Sequence, residues 1–290
     1  QPAISYYDFT NRDLKYASYD GQKWTTQVID NEGFVGEYTS LSFSPSGQPA
    51  ISYYDFTNRD LKYASYDGQK WTTQVIDNEG FVGEYTSLSF SPSGQPAISY
   101  YDFTNRDLKY ASYDGQKWTT QVIDREGDVG RYTSLAFSPS GQPVISYHDS
   151  TNDDLKYALY NGRTWSRQTV DSEGDVGEYT SLAFSPSGQP AISYYDSINR
   201  ALKFAQRTIV EKGSGALKDT PEEEVAARGK EEEEQVAMQK SEEEQAAQKK
   251  AEAALAARKK AEEEEAARKK AEEAKVAQAI PPKALPVPEE

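Results

Sequence analysis

The sequence predicts an all-β fold, a five-bladed β-propeller of four-stranded blades, followed by a long charged α-helix. Three observations carry this. The string QPAISYYD begins at Gln1, Gln48 and Gln95, returns as QPVISYHD at Gln142, and recurs at Gln189, a constant interval of 47 residues. Such a fixed period marks a repeat architecture. Each interval holds four short segments in which apolar and polar residues alternate with period two, the pattern of half-buried strands. Beyond Gly213 the period changes to ten residues and the composition to Ala, Glu, Lys, Gln and Arg, which are strong helix formers.

Each strand is justified from the first copy. Ala3–Tyr7 places Ile4 and Tyr6 on one face, and Leu14–Tyr19 places Leu14 and Tyr16 on one face with Lys15 on the other. Trp24–Ile29 aligns Trp24, Thr26 and Val28, and Tyr38–Phe43 aligns Leu41 with Phe43. Between them lie Asp20-Gly21, the turn Ser44-Pro45-Ser46-Gly47, and a longer loop over Asp30–Glu37 containing Gly33 and Gly36. Four antiparallel strands per unit of this length compose a propeller blade. The small, apolar run Thr39–Phe43 suits an inner strand A near the axis. The Ala3, Leu14 and Trp24 segments then become strands B, C and the outer D.

This frame leaves a mismatch. It yields five B and five C strands, but four A strands, opened by Tyr38, Tyr85, Tyr132 and Tyr179, and four D strands, led by Trp24, Trp71, Trp118 and Trp165. The fifth copy runs through Leu202–Gln206 and then loses the pattern. Closure is expected from the segment around Ile209, from residues upstream of Gln1, or from a second chain. The chain begins at Gln1 without Met or signal peptide, as a mature form or a fragment would.

The expected organisation is a propeller over residues 1–210, a linker over 211–220 containing Gly213-Ser214-Gly215, a helix over 221–279 and a Pro-rich extended tail over 280–290. Thr220-Pro221 supplies a cap and a first-turn proline. Glu264 with Arg268 and Glu265 with Lys269 stand four residues apart in the favourable order. A ten-residue period fits neither repeat that keeps one apolar seam facing a partner. A solitary spacer helix of roughly 85 Å is therefore favoured over an oligomerising one.

Composition narrows the chemistry. A net charge of −15 argues against nucleic-acid binding, which needs a basic footprint. The absence of cysteine removes disulfides and thiolate metal sites, and no apolar stretch is long enough to span a membrane. The one histidine, His148, takes the place of Tyr7, Tyr54, Tyr101 and Tyr195 in the other copies and reads as a drifted surface aromatic. No nucleophile triad and no phosphate-binding glycine loop is present. No catalytic residue, metal or cofactor is expected. The rim carboxylates recur from unit to unit, whereas catalysis needs unlike groups converging on one point.

In an up-and-down blade the B–C loop shares a rim with the D–A loop. That rim collects Asp8, Asn11, Arg12, Asp13 and Tyr38 from the first unit, and Asp55, Asn58, Arg59, Asp60 and Tyr85 from the second. The third and fourth add Asp102, Asn105, Arg106, Asp107, Tyr132, Asp149, Asn152, Asp154 and Tyr179. Aromatic faces beside carboxylates, amides and guanidinium groups suit carbohydrate, since aromatics stack on sugar faces and the polar groups bond hydroxyls. The same residues also serve turns, so Asp8 and Asn11 have a second reading as caps of their own loop.

The stretches ISYYDFTNRDLKYASYDGQKW and EGDVGEYTSLAFSPSG resemble a repeat of uncharacterised, exported bacterial proteins. That resemblance covers residues 1 to about 206 and implies a propeller at the cell surface or outside the cell, with no assigned reaction. SYDGQKW resembles a shortened Asp-box, the hairpin of sialidase-type propellers, one residue short between Asp20 and Trp24. In that family the Asp-box is a fold element away from the active site. Five 47-residue units are similar in period to tachylectin-like lectins, and the tail is similar in composition to the spacer helices of TolA and TonB-type envelope proteins. The expectation is a non-enzymatic binding module for a glycan or another surface protein. The alternative is a structural protein whose incomplete blades or helix pair with other copies.

Overall fold

In the computed structural model the described residues are 1–206, and they form strands joined by turns. The linker, helix and Pro-rich tail expected from the sequence, with the Ile209 segment, lie outside them. The first unit contributes β1 (Ala3–Asp8), β2 (Asp13–Tyr19) and β3 (Trp24–Asp30). A complete sheet follows from β4 (Val35–Phe43), β5 (Pro49–Asp55), β6 (Asp60–Tyr66) and β7 (Trp71–Asp77). The next two are β8 (Val82–Phe90), β9 (Pro96–Asp102), β10 (Asp107–Tyr113), β11 (Trp118–Asp124), and β12 (Val129–Phe137), β13 (Pro143–Asp149), β14 (Asp154–Tyr160), β15 (Trp165–Asp171). The last described sheet holds β16 (Val176–Phe184), β17 (Pro190–Asp196) and β18 (Ala201–Gln206). Every sheet is antiparallel with strands in sequence order. These repeated four-stranded units fit a repeat β-propeller.

Local chemistry sets each turn. Between β2 and β3 the Asp20 carboxylate accepts the N–H groups of Gln22 at 2.7 Å and Lys23 at 2.8 Å, while Gly21 takes a φ of 102°. Between β4 and β5 the Ser44 hydroxyl accepts from Gln48 N at 3.1 Å. The strand that begins each complete sheet is longer than alternation predicts, because it starts at Val35, three residues before Tyr38. Its pairing with β5 shifts register between Val35 and Glu37 and again before Ser40. These are bulges, which bend a strand and re-aim its side chains.

The inner position of β4, β8, β12 and β16 follows from hydrogen bonds between consecutive sheets. Ser40 Oγ accepts Leu88 N, Ser87 Oγ accepts Leu135 N, and Ser134 Oγ accepts Leu182 N, each at 3.0 Å. The fourth strands, such as β7, are exposed along their middle. Small residues on the inner strands allow this approach.

The core is divided among the junctions between sheets. At the first, Leu14 and Tyr16 meet Val35, Ile51, Tyr53 and Ala64, and the set repeats at the next three. Fully burying a Leu or Ile contributes roughly 1.5–3 kcal/mol, so each junction is a substantial store of stability. The outer sheets show what a missing neighbour does. Ile4 is 51% exposed where Ile51, Ile98 and Ile145 are 0%, and Leu202 is 80% exposed where Leu61 and Leu108 are 0%.

One expectation is corrected. His148 and the tyrosines at its position are not surface aromatics in the complete sheets: His148 is 4% exposed, Tyr54 4% and Tyr101 1%. Alternation assigns a face, but the bulged inner strand of the following sheet covers that end of strand B.

Candidate functional site

The loops after β1, β5, β9 and β13 share a rim with those that lead into the inner strands, and the two sets interlock. Phe34 N donates to Thr57 Oγ1 at 2.7 Å, Val35 N to the Arg12 carbonyl at 3.1 Å, and Phe56 N to the Phe34 carbonyl at 2.9 Å. Arg12 and Arg59 adopt φ of 64° and 67°, and their guanidinium groups lie 3.9 and 3.8 Å from the ring centres of Phe34 and Phe81. Arg106 takes the same left-handed backbone with φ of 62°.

Most carboxylates expected at the rim are already engaged inside their loops. Asp8 Oδ1 accepts from Thr10 N and Asn11 N, and its Oδ2 from the Asn11 side chain at 2.8 Å. Asp55 holds Asn58, Asp102 holds Asn105, and Asp149 holds Asn152 in the same way, with amide contacts of 2.9–3.0 Å. Asp13, Asp60, Asp107 and Asp154 are the cross-strand partners of those four. Burial first, then the facing aspartate, pushes the carboxyl groups of Asp60, Asp107 and Asp154 up. The Asp–Asn pair thus shapes the loop.

The tyrosines behave differently. Tyr38, Tyr85, Tyr132 and Tyr179 all have φ between 51° and 53°, a backbone unusual for an aromatic residue. Their rings follow one another at 4.6, 4.6 and 4.5 Å between centroids, forming one continuous arc across four consecutive inner strands. Behind it stand Tyr54, Tyr101, His148 and Tyr195, each 6.1–6.3 Å from an arc ring. Tyr38 and Tyr179 are exposed, while Tyr85 and Tyr132 are half-buried. Burial foremost, with carboxylates nearby, raises the hydroxyl pKa of Tyr38 and Tyr132, so these groups stay neutral hydrogen-bond donors. Burial also raises the carboxyl groups of Glu37 and Glu84, the latter against the pull of Arg131.

Farther from the arc lies a polar cluster that alternation does not reveal. At the first junction Tyr53 donates to Asp30 Oδ2 at 2.6 Å and Lys62 reaches the same oxygen at 2.5 Å, with Asp55 3.7 Å from the ammonium. The set recurs around Asp77, Asp124 and Asp171. Burial acts to raise the carboxyl groups of Asp30, Asp124 and Asp171, but the bonds from lysine and tyrosine outweigh it and hold them low. A depressed carboxyl pKa contributes stability that is present above the unfolded value, near 4, and is lost as pH falls through the folded one. The urea midpoint is expected to change little between about pH 7 and 5 and to fall steeply below about pH 4. A midpoint that is flat down to pH 2 would contradict this.

Comparison with protein-family models finds no family that matches, and comparison with curated proteins finds no match. Solved structures with related folds exist. A protein of unknown function from Dyadobacter fermentans superposes with a TM-score of 0.52 at 12% identity, over 67% of each chain. A fucose lectin from Kordia zhangzhouensis, in complex with methyl-fucoside, gives 0.36 at 19% identity over 47% of this chain and 99% of that one. A Hadza microbial sialidase gives 0.47 at 13% identity, over 67% of this chain and 50% of the other. At such identities the likeness to the first speaks to the fold alone.

Proposed function

We propose that this chain is a non-enzymatic, multivalent carbohydrate-binding module of five-bladed propeller type, acting outside the cell or at its surface. The observation that carries this reading is the arc of Tyr38, Tyr85, Tyr132 and Tyr179. Aromatic faces at the mouth of the inner strands offer the apolar platform on which the C–H face of a sugar ring stacks. Neutral tyrosine hydroxyls and the nearby Glu37 and Glu84 supply donors and acceptors for ring hydroxyls. Each contact is weak, and equivalent neighbours multiply it through effective concentration. The rim carboxylates of Asp8, Asp55, Asp102 and Asp149 act in this reading by shaping the loops.

A glycan array followed by calorimetry on the best ligand tests this. Tyr85→Ala and Tyr132→Ala are each expected to weaken binding by about tenfold, since loss of one aromatic contact costs on the order of 1 kcal/mol or more. Val75→Ala, on an exposed fourth strand, should leave it unchanged. No binding on the array, or equal affinity for all three variants, sinks the reading. Hydrolysis of a glycan that disappears on altering one unit alone would replace it with an enzymatic one.

A second reading, assembly with other copies, is favoured by one observation. Leu202 and Phe204 are 80% and 64% exposed on the face that every earlier sheet packs against its successor, and Ile4 is exposed on the opposite face of the first sheet. The occupant is a second copy, because the pairing required is the one already used at four junctions. Light scattering should then show multimers that dissociate in a Leu202→Glu, Phe204→Glu double variant. A monomer at all concentrations rejects it.

A further inference from the structure

The fourth unit departs from the first two at three positions that meet in space. Where the first two units place Tyr7, Arg12 and Phe34, or Tyr54, Arg59 and Phe81, the fourth places His148, Asp153 and Asp175. In the early units the guanidinium stacks on the phenylalanine ring. The third unit keeps Tyr101 and Arg106 and has Asp128, whose carboxylate is satisfied by the Tyr101 hydroxyl at 2.7 Å and by Arg131. In the fourth, both stacking partners have become carboxylates and the hydroxyl has become an imidazole. None of the three positions in the fourth unit holds a lysine or arginine.

The geometry points to a site for a divalent first-row transition ion, Zn²⁺ being the representative, bound by His148 Nε2, Asp153 and Asp175. One ligand atom from each lies within 4.8 Å of the other two, and Nε2 stands 3.7 Å from Asp175 Oδ1. Donors bound at about 2.1 Å in tetrahedral geometry sit roughly 3.4 Å apart, so a movement of about 1 Å assembles the set. The His148 side chain is 6% exposed, and neither its Nε2 nor the buried Asp175 Oδ1 has a hydrogen-bond partner. Two such orphaned atoms facing each other are costly unless something bridges them.

The ring is also oriented for this role. Its other nitrogen, Nδ1, lies 3.2 Å from Ser150 Oγ, and a proton held there leaves the Nε2 lone pair facing the carboxylates. Asp153 is exposed and gives an ion a route from solvent. Its left-handed backbone, φ 59°, is one that aspartate tolerates better than most residues. One imidazole and two carboxylates suit zinc and its neighbours, whereas calcium and magnesium take oxygen ligands throughout. Three protein ligands leave a coordination position for water or another oxygen donor.

His148 is the chain's only histidine, which makes the test direct. The untagged full chain, labelled with ¹⁵N-histidine, is titrated with zinc chloride. The Nε2 resonance is expected to shift and saturate at one equivalent, with a rise in thermal midpoint, and the same concentration of calcium should leave it unmoved. His148→Tyr, which restores the residue of the other units, should abolish the rise in midpoint. Asp175→Asn should weaken zinc binding by at least about tenfold while keeping the imidazole in place to report it. The site is overturned if millimolar zinc leaves Nε2 unchanged, if either variant gains the same thermal protection as the parent, or if calcium competes on equal terms.

Discussion

Asp124→Ala is expected to destabilise the sheet array by about 3–5 kcal/mol, the range for removing one partner of a buried ion pair. The carboxylate is 1% exposed and does four things at once. It accepts the Tyr147 hydroxyl at 2.7 Å, the Lys156 ammonium at 2.8 Å, the Arg167 guanidinium at 2.9 Å and the backbone N–H of Glu126 at 3.1 Å. Alanine leaves a buried ammonium whose nearest other carboxylate, Asp149, is 3.5 Å away, and it orphans a tyrosine hydroxyl. The cost is therefore mainly that of uncompensated groups. A double variant with Lys156→Met should recover part of the loss, because the pair is then removed together. Urea denaturation of the four members of that cycle measures the coupling. A loss under about 1 kcal/mol for the single change would show that water reaches the cluster. Asp124→Asn should be milder and should also flatten the acid limb of the stability curve, since the group that titrates there is gone.

Gly83→Ala should be comparably damaging for an unrelated reason. Gly83 has a φ of 109°, and a Cβ built on it would lie 2.8 Å from the Cα of Leu61 in the preceding sheet. Backbone cannot yield as a flexible side chain does, so the two sheets must move apart at a junction whose Leu61 is fully buried. Strain at φ alone costs on the order of 1–3 kcal/mol, and the loosened junction adds to it. Gly68 provides the control: its φ is 97°, but a Cβ there meets only the Gln48 amide at 3.8 Å. Gly68→Ala should therefore report the strain without the clash. Equal losses for the two would mean that close approach contributes nothing.

The strands were legible in the chain because both of their signals are local. Alternation marks Leu14 and Tyr16 as a pair, and Asp20-Gly21 marks the turn between β2 and β3. The order of strands within each sheet follows from the short connections, and the excess of B and C over A and D strands is present in the described residues. What escaped depends on neighbours 23 to 34 residues away. Lys62 alternates with apolar residues and reads as a solvated lysine, yet it reaches Asp30 across the junction. The burial of Tyr54 and His148 could not be seen, because it comes from bulges in another strand. The tyrosine arc was half visible: its residues stand out in the sequence as rim aromatics, but the succession of tilted rings goes with a left-handed φ at each, which the sequence does not announce. Asp153 and Asp175 do stand out against the repeat. Each is a change of charge at a repeated position, and both occur in the unit that holds the only histidine.

The tyrosine-to-aspartate bonds join residues 23 apart at all four junctions, and the serine-to-amide bonds join residues 48 apart at the three junctions where both sheets have an inner strand. A genetic loss or gain of one whole unit therefore preserves the partners of every junction that remains. The first two units are identical in sequence, so misaligned recombination between them changes the number of sheets while leaving each boundary a familiar one. Selection on such a chain can act on how many sheets it carries before it acts on the surface of any one of them.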